Sequence, residues 1–318
     1  MISVVMPAYN AERYITLAVE SILGQTYRDY EFIVVDDGSS DNTAELLRRY
    51  ADAGLLRLIE ADHIGGSAAL NLAAREATRP WLAVMHADDE ALPRRLERQF
   101  AAAADQPEVV VWGTHAYHIN EAGDVLGLSR FGPESIEDFR RVRDGLEDIN
   151  VLHPTAMLRR DVFLEVGGYD PGFRACEDMD LFARMADRGP VVAIPEPLMR
   201  YRHHGTSNTM TRFSRVCQEL AFIRARSRAA ADGQTLDFED FLDRRARRPW
   251  AVRAAARARE ESWFRWRNAA FLWGQRRRVR ALSNLALATT INPGYCFAKL
   301  WRQFASPEAR RLMQEAPA

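Results

Sequence analysis

The sequence predicts an α/β protein: a mostly parallel central sheet flanked by helices, followed by a helical C-terminal extension. Three observations carry this. Short β-branched runs alternate with helix-length stretches in the N-terminal part, as in successive βαβ units. Polar clusters follow directly after three of those runs. Beyond about residue 211 the pattern becomes almost wholly helical and strongly basic.

In order, residues 2–6 are apolar enough for a buried strand, and 11–23 repeat at helical spacing. The runs 31–35, 55–59 and 81–85 predict three further strands. Helices are expected over 43–50, 67–76 and 93–103. Right-handed crossovers then place the loops that follow the strands along one sheet edge, where open α/β sheets bind ligands. Residues 109–129 predict short strands about a turn at 121–124. A helix is expected over 134–147, a strand over 155–158, a helix over 177–188 and two short strands at 191–194 and 198–201. The soft boundary before the helical extension falls at 210/211.

Composition suits a globular protein: 318 residues, 47% hydrophobic and 27% charged. It argues against a disordered, collagen-like or disulfide-stapled chain, and the lack of an internal repeat argues against a solenoid. Cys176, Cys217 and Cys296 are odd in number and far apart, with no zinc-ligand spacing, which fits a reduced, cytoplasmic compartment. The apolar run at the start is too short for a signal peptide. The net charge of −1 hides a division. From Arg244 onward there are 17 basic and 4 acidic residues, a net of +13, which leaves −14 for the remainder.

Four clusters can carry chemistry. Asp36, Asp37 and Gly38 follow the second strand; they suit a turn and helix cap, or hydrogen bonds to a base or ribose. Asp88 and Asp89 follow the fourth strand. They read as a solvated helix N-terminus, or as hard oxygen ligands for Mg2+ or Mn2+. Glu177 and Asp178 open a helix, either as dipole-favoured charges or with one of them as a general base. Tyr201, Arg202, His203 and His204 end a strand; Arg suits phosphate and His suits a metal, although surface histidines are more often structural. Three acid-bearing or polar loops on one edge weigh more than any one cluster.

These residues resemble a known family. The stretch Ser3-Val4-Val5-Met6-Pro7-Ala8-Tyr9-Asn10, then Val35-Asp36-Asp37-Gly38-Ser39-Ser40-Asp41, then Ala87-Asp88-Asp89, is similar to the family 2 glycosyltransferases of GT-A fold. His153-Pro154-Thr155, Gly167-Gly168-Tyr169-Asp170, Glu177-Asp178 and the segment ending in His203-His204 continue in the family's order. The likeness spans residues 2–207.

The resemblance implies a catalytic domain over 1–210, with a nucleotide-sugar half over about 1–105 and an acceptor half over about 106–210. It implies inverting transfer of a sugar from a nucleoside diphosphate donor, a UDP-sugar in the first place, to a hydroxyl of a saccharide or lipid-linked acceptor. Pro7, Ala8, Tyr9, Asn10, Asp36, Asp37 and Gly38 would meet the base and ribose. Asn71 would lie near the donor, Asp88 near the ribose, and Asp89 and His204 on the divalent cation, Mn2+ or Mg2+. Asp178 would be the catalytic base, with Glu177 as its neighbour. Two positions depart from the pattern: His86, where the family often has Asp, and Leu70, where an arginine often precedes the asparagine.

The extension over 211–318 carries Trp250, Trp263, Trp266, Trp273 and Trp301 among arginines. Trp263, Trp266, Ala270 and Trp273 share a helical face, with Arg265, Arg267 and residues 276–278 around them. This face suits an anionic membrane surface, which would make the protein peripheral on the inner face of the cell membrane, or packing on the catalytic domain or a second copy of the chain. Residues 281–298 lack charge, but Asn292-Pro293-Gly294 breaks them. A helix to Ile291, a turn and an amphipathic segment are expected rather than a membrane span.

Other readings are a sugar-phosphate nucleotidyltransferase, which would want a Gly-rich loop where Pro7-Ala8-Tyr9-Asn10 stands, and an inactive nucleotide-sugar-binding protein. No sequence module for nucleic acid accompanies the basic tail.

Overall fold

The computed structural model describes residues 1–145, 148–204, 213–274 and 277–300. The chain forms two compact units, Met1–Thr235 and Leu236–Ala318.

In the first unit the elements are β1 (Ile2–Ala8), α1 (Ile15–Leu23), β2 (Tyr30–Asp36), α2 (Thr43–Asp52), β3 (Arg57–Glu60), α3 (Gly66–Glu76), β4 (Trp81–Val84), β5 (Glu90–Ala91) and α4 (Arg95–Asp105). There follow β6 (Val111–Ile119), β7 (Val125–Ser129), α5 (Ile136–Asp144), β8 (Met157–Arg159), α6 (Arg160–Glu165), α7 (Glu177–Ala186), β9 (Val191–Arg202) and α8 (Phe213–Ala231). One sheet runs β3-β2-β1-β4-β8-β6-β9-β5, with β7 on β6. Strands β1–β4 pair in parallel, as do β6 and β9; β8 runs antiparallel between β4 and β6.

Both faces of this sheet are covered, which is why its strands read as apolar runs rather than alternating ones. Ile2, Val4 and Met6 of β1 pack with Ile15, Val19 and Ile22 of α1 and Leu96 of α4. Val5, on the opposite face, shares a core with Ala69, Leu70 and Ala73 of α3 and with Leu181, Phe182 and Met185 of α7. Because β1 lies between β2 and β4, the chain order reverses beside it. The crevice beyond the ends of β1, β2 and β4 is therefore the topological switch point.

Two expectations change, and a third falls outside the described residues. Residues 191–202 are one strand, not two. Pro195 and Pro197 look like interruptions, but a register shift against Thr114–Ala116 absorbs them. Asp88 and Asp89 do not open a helix: β5 follows at once, pairing antiparallel with Met199 and Arg200 of β9, and α4 starts only at Arg95. The expected boundary at 210/211 falls outside the described residues, whereas the units divide after Thr235, so α8 belongs with the sheet.

The second unit contains α9 (Phe238–Ala246), α10 (Trp250–Gly274), α11 (Arg278–Ile291) and α12 (Pro293–Leu300). Helices α10 and α11 pack through small residues: Ser262 Oγ donates to the Ala288 carbonyl at 3.0 Å, and Ala281, Ala288 and Cys296 are buried. The break came where expected: α11 ends at Ile291, and Asn292 Oδ1 accepts from Tyr295 N ahead of a helix with Pro293 at its first position. Among the described residues no helix is long and apolar enough to cross a membrane. Trp263 and Trp266 are half-buried; Trp301, Arg276 and the side chains of Arg267, Ala270 and Trp273 lie outside the described residues.

Candidate active site

The loops after β1 and β2 are tied to each other. Asn10, in the left-handed region at φ 49°, accepts from Ser40 N at 2.8 Å, and its own N–H donates to Ser39 Oγ at 3.0 Å. Asp36 accepts from Ser39 Oγ at 2.6 Å. Asp37 accepts from Ile64 N at 2.6 Å and Gly65 N at 2.9 Å, so its carboxylate shapes the loop after β3. Gly38 has φ +73°, and a Cβ there would stand 2.9 Å from His63 N. Pro7 and Ala8 end β1, and the Ala8 carbonyl accepts from Asp37 N at 2.8 Å. Asp36, Asp37, Gly38 and Asn10 thus build the loops, while the exposed Tyr9 presents a ring 4.3 Å from that of His63.

Around the turn between β4 and β5 lies a candidate cation cluster. His86, Asp88 and Asp89 each offer a ligand atom, and these atoms lie within 4.8 Å of one another. Asp89 is 1% exposed; its Oδ1 accepts from Arg202 N at 2.7 Å, while its Oδ2 is buried without a hydrogen-bond partner. Burial and the neighbouring Asp88 push its carboxyl well above the usual range. An orphaned carboxylate oxygen next to a second carboxylate fits a cation. For Asp88, burial works upward, but the hydrogen bond from His204 and the nearness of His86 outweigh it and hold the carboxyl below its ordinary value. His204 reaches Asp88 Oδ2 with Nε2 at 2.7 Å.

Two buried arginines support this side. Arg202 spends its guanidinium on the carbonyls of Asp88, Asn120 and Glu121 and the carboxylate of Glu90. Arg95, fully buried, donates to the Val84 carbonyl at 2.8 Å, and burial lowers its pKa to about 9. Nothing in the sequence marked Arg95, since arginine on an amphipathic helix normally faces water.

Glu177 and Asp178 lie in the first turn of α7, and Met179 N donates to Asp178 Oδ1 at 2.8 Å. Burial raises Asp178 to about 6. What fixes this turn is Glu219 of α8, a residue the sequence analysis missed. Its carboxylate, 1% exposed, accepts from the N–H groups of Arg174, Ala175 and Cys176, each at 2.9 Å. Asp180, also buried, pairs with Arg184 at 2.5 Å and with Arg226 of α8 at 2.6 Å.

Asn71 is committed to the loop before α7: it accepts from Tyr169 N at 2.9 Å and donates to the Tyr169 carbonyl at 2.8 Å. Leu70 is core. The two sides meet through rings. His86 Nδ1 stands 3.6 Å from Asp89 Oδ2, His86 Nε2 is 3.0 Å from His153 Nδ1, and His153 Nε2 is 2.7 Å from Tyr169 Oη. Burial, with the charges of Asp178 and Glu177, pushes the Tyr169 phenol well above its usual value, so this chain ends within electrostatic reach of those two carboxylates. Desolvation pulls His86 to about 3 and His153 to about 4, so both rings are neutral at neutral pH.

Fold and site define a glycosyltransferase of the GT-A type. The chain belongs to glycosyltransferase family 2: residues 3–167, just over half of it, match the family described as "Glycosyl transferase family 2". The O-antigen biosynthesis glycosyltransferase WbnJ of Escherichia coli is 32% identical over 213 residues, covering 65% of this chain and 81% of WbnJ. WfgD of Escherichia coli, named as a UDP-Glc:alpha-D-GlcNAc-diphosphoundecaprenol beta-1,3-glucosyltransferase, is 35% identical over 127 residues, covering 40% of this chain and 49% of its own. Among solved structures, S. aureus TarS 1-349 in complex with UDP-GlcNAc superposes with a TM-score of 0.58 at 16% identity, covering 93% of this chain and 92% of that one. The mannosyltransferase PcManGT from Pyrobaculum calidifontis, in complex with GDP-Man and Mn2+, gives 0.53 at 21%, covering 98% and 83%. At these identities the structural likeness concerns the fold.

Proposed function

We propose that this glycosyltransferase is inverting and cation-dependent, takes its sugar from a nucleoside diphosphate donor, a UDP-sugar by preference, and acts in the synthesis of cell-surface polysaccharide or glycolipid. What supports this is Asp89, with its orphaned buried oxygen, and Asp178, a carboxylate raised to about 6, linked through His86, His153 and a Tyr169 phenol that feels the Asp178 charge. The exposed Tyr9 ring beside His63 offers a stacking face for the base, and the braced loop of residues 7–10 lies next to the ribose. Asp88 and Asp89 hold the cation, with His204 orienting Asp88. When bound, the cation supplies charge neutralisation for the departing diphosphate.

Asp178 takes the proton of the acceptor hydroxyl as that oxygen bonds to the anomeric carbon and the bond from that carbon to the diphosphate oxygen breaks. One such displacement inverts the anomeric centre, and no covalent bond to the enzyme forms. UDP-sugar use and a lipid-linked acceptor are supported by the name of WfgD, and metal use by Mn2+ in the PcManGT complex. In the second unit, Arg277, Arg278 and Arg280 are exposed beside Val279 (82% exposed), with Phe297 (67%) also open, which supports an anionic membrane surface as partner.

A screen of nucleotide sugars with Mn2+ or Mg2+, read by thermal shift and by release of nucleoside diphosphate, tests the donor. Asp178→Asn is expected to keep donor binding and lose transfer by about a thousandfold; transfer at the normal rate would refute the base. Flotation with anionic liposomes tests the second unit, and a chain that stays wholly in the aqueous layer would remove that partner.

A further inference from the structure

We propose that His86 is itself a ligand of the cation site, held in the ligating tautomer by His153 and Tyr169, so that the site prefers a transition-metal cation to Mg2+. This rests on the cation-dependent reading above and sharpens it.

His86 offers the cluster one imidazole nitrogen, beside the two carboxylates of Asp88 and Asp89. Its Nδ1 is 3.6 Å from Asp89 Oδ2. That is too long for a hydrogen bond. It is close to the separation of two ligand atoms that each stand about 2.1 Å from one cation, roughly 3 to 3.5 Å. Asp89 Oδ2 is the oxygen that is buried without a partner, and its residue is 1% exposed. The two atoms therefore face one another without satisfying one another.

The tautomer follows from the neighbours. A neutral imidazole carries one N–H and one lone pair. For Nδ1 of His86 to ligate, its hydrogen must sit on Nε2, which points at His153 Nδ1 across 3.0 Å. His153 then accepts at Nδ1 and carries its own hydrogen on Nε2, 2.7 Å from Tyr169 Oη. Tyr169 is 2% exposed, and Asn71 grips its backbone N and O. Gly168 precedes it with φ +70°, and a Cβ there would stand 2.5 Å from Asn71 Oδ1. The far end of the relay is thus anchored by backbone, and His153 acts as a positioning residue for His86. An imidazole nitrogen favours first-row transition cations, whereas Mg2+ prefers an all-oxygen, largely hydrated sphere.

The test uses the full chain and Mn2+ alone, with free Mn2+ followed by electron paramagnetic resonance and bound Mn2+ by spin-echo modulation. The wild type is expected to show nitrogen modulation and to resist displacement by excess Mg2+. His86→Ala should lose the modulation and weaken Mn2+ binding about tenfold or more, and His86→Asp should bind Mn2+ without modulation and yield it readily to Mg2+. His153→Phe should weaken Mn2+ about tenfold, whereas His153→Asn, which keeps an acceptor near the Nδ1 position, should restore most of it.

Nitrogen modulation persisting in His86→Ala would overturn the proposal. So would Mg2+ displacing Mn2+ from the wild type as easily as from His86→Asp; the cation-dependent reading would survive that result. A wild type that binds neither cation would sink both.

Discussion

The Asp89 side and the Asp178 side of the site, proposed as the cation side and the base side, are held by different means. On the cation side the fixing elements are strands: β5 pairs with β9, and the Arg202 backbone N–H grips Asp89. On the base side a helix start is held by single side chains from distant elements, Glu219 from α8 and, one loop earlier, Asn71 from α3. Burial raises both Asp89 and Asp178, yet to different ends. Asp89 has a buried oxygen without a hydrogen-bond partner, which suits the proposed cation, whereas Asp178, raised to about 6, suits the proposed acceptance of a proton near neutral pH. A carboxylate clamped by backbone tolerates changes around it; one held through side chains inherits every change in its holders.

The comparison can be broken most sharply at Asp89. Asp89→Ala should abolish cation-dependent nucleotide binding by calorimetry and cut turnover by at least about a hundredfold; cation-dependent binding that survives would show that the orphaned oxygen is not a ligand. Next in size is Glu219→Ala, which strips three N–H groups of their acceptor. It should cost about 3 kcal/mol in urea unfolding and lower kcat while leaving the KM for donor near wild type. An equal rise in donor KM would mean that α8 supports both sides alike.

The pH dependence sharpens the base side. Asp178 must be ionised to accept a proton, so the rate should climb about tenfold per pH unit below about 6 and level off above it. The linkage has the opposite sign. The folded state holds this proton more tightly than the unfolded one, so the carboxylate costs stability as pH rises from 3.8 to about 6. Asp178→Asn should therefore melt at or above the wild-type temperature at pH 7, and a lower melting temperature would contradict the raised pKa. The smallest effect is expected for Gly168→Ala. Its Cβ would press on Asn71 Oδ1, loosening the grip on Tyr169 at about 1–2 kcal/mol, so that kcat falls and Mn2+ affinity, which Tyr169 reaches only through His153 and His86, falls by less than the roughly tenfold expected of His153→Phe.

Much of the site was legible because its residues come in short contiguous runs. Asp88 and Asp89 sit directly after an apolar strand, and Glu177 and Asp178 at a helix start, and the structure places both pairs there. The roles of Asp36, Asp37 and Asn71 were less legible. Asp37 and Asn71 read equally well as ligand groups, and only their partners, Ile64 and Gly65 for one and Tyr169 for the other, show both side chains braced against backbone. Arg202 was ambiguous for a related reason: a guanidinium suits phosphate and buried carbonyls equally, and only the structure shows the carbonyls it meets. Glu219 gave no signal, because an acid on a helix ordinarily faces water.

By itself, then, the sequence determined the alternation of strands and helices, the family, and the edge of the sheet on which the acidic loops open. These are properties of local periodicity and contiguous motifs. Only the tertiary structure decided that β5 forms at all, that Asp89 meets a backbone donor 113 residues away, and that His86, His153 and Tyr169 fall into one line. Such meetings depend on strand register and on which helix covers which face, and neither is written in the spacing of neighbouring residues.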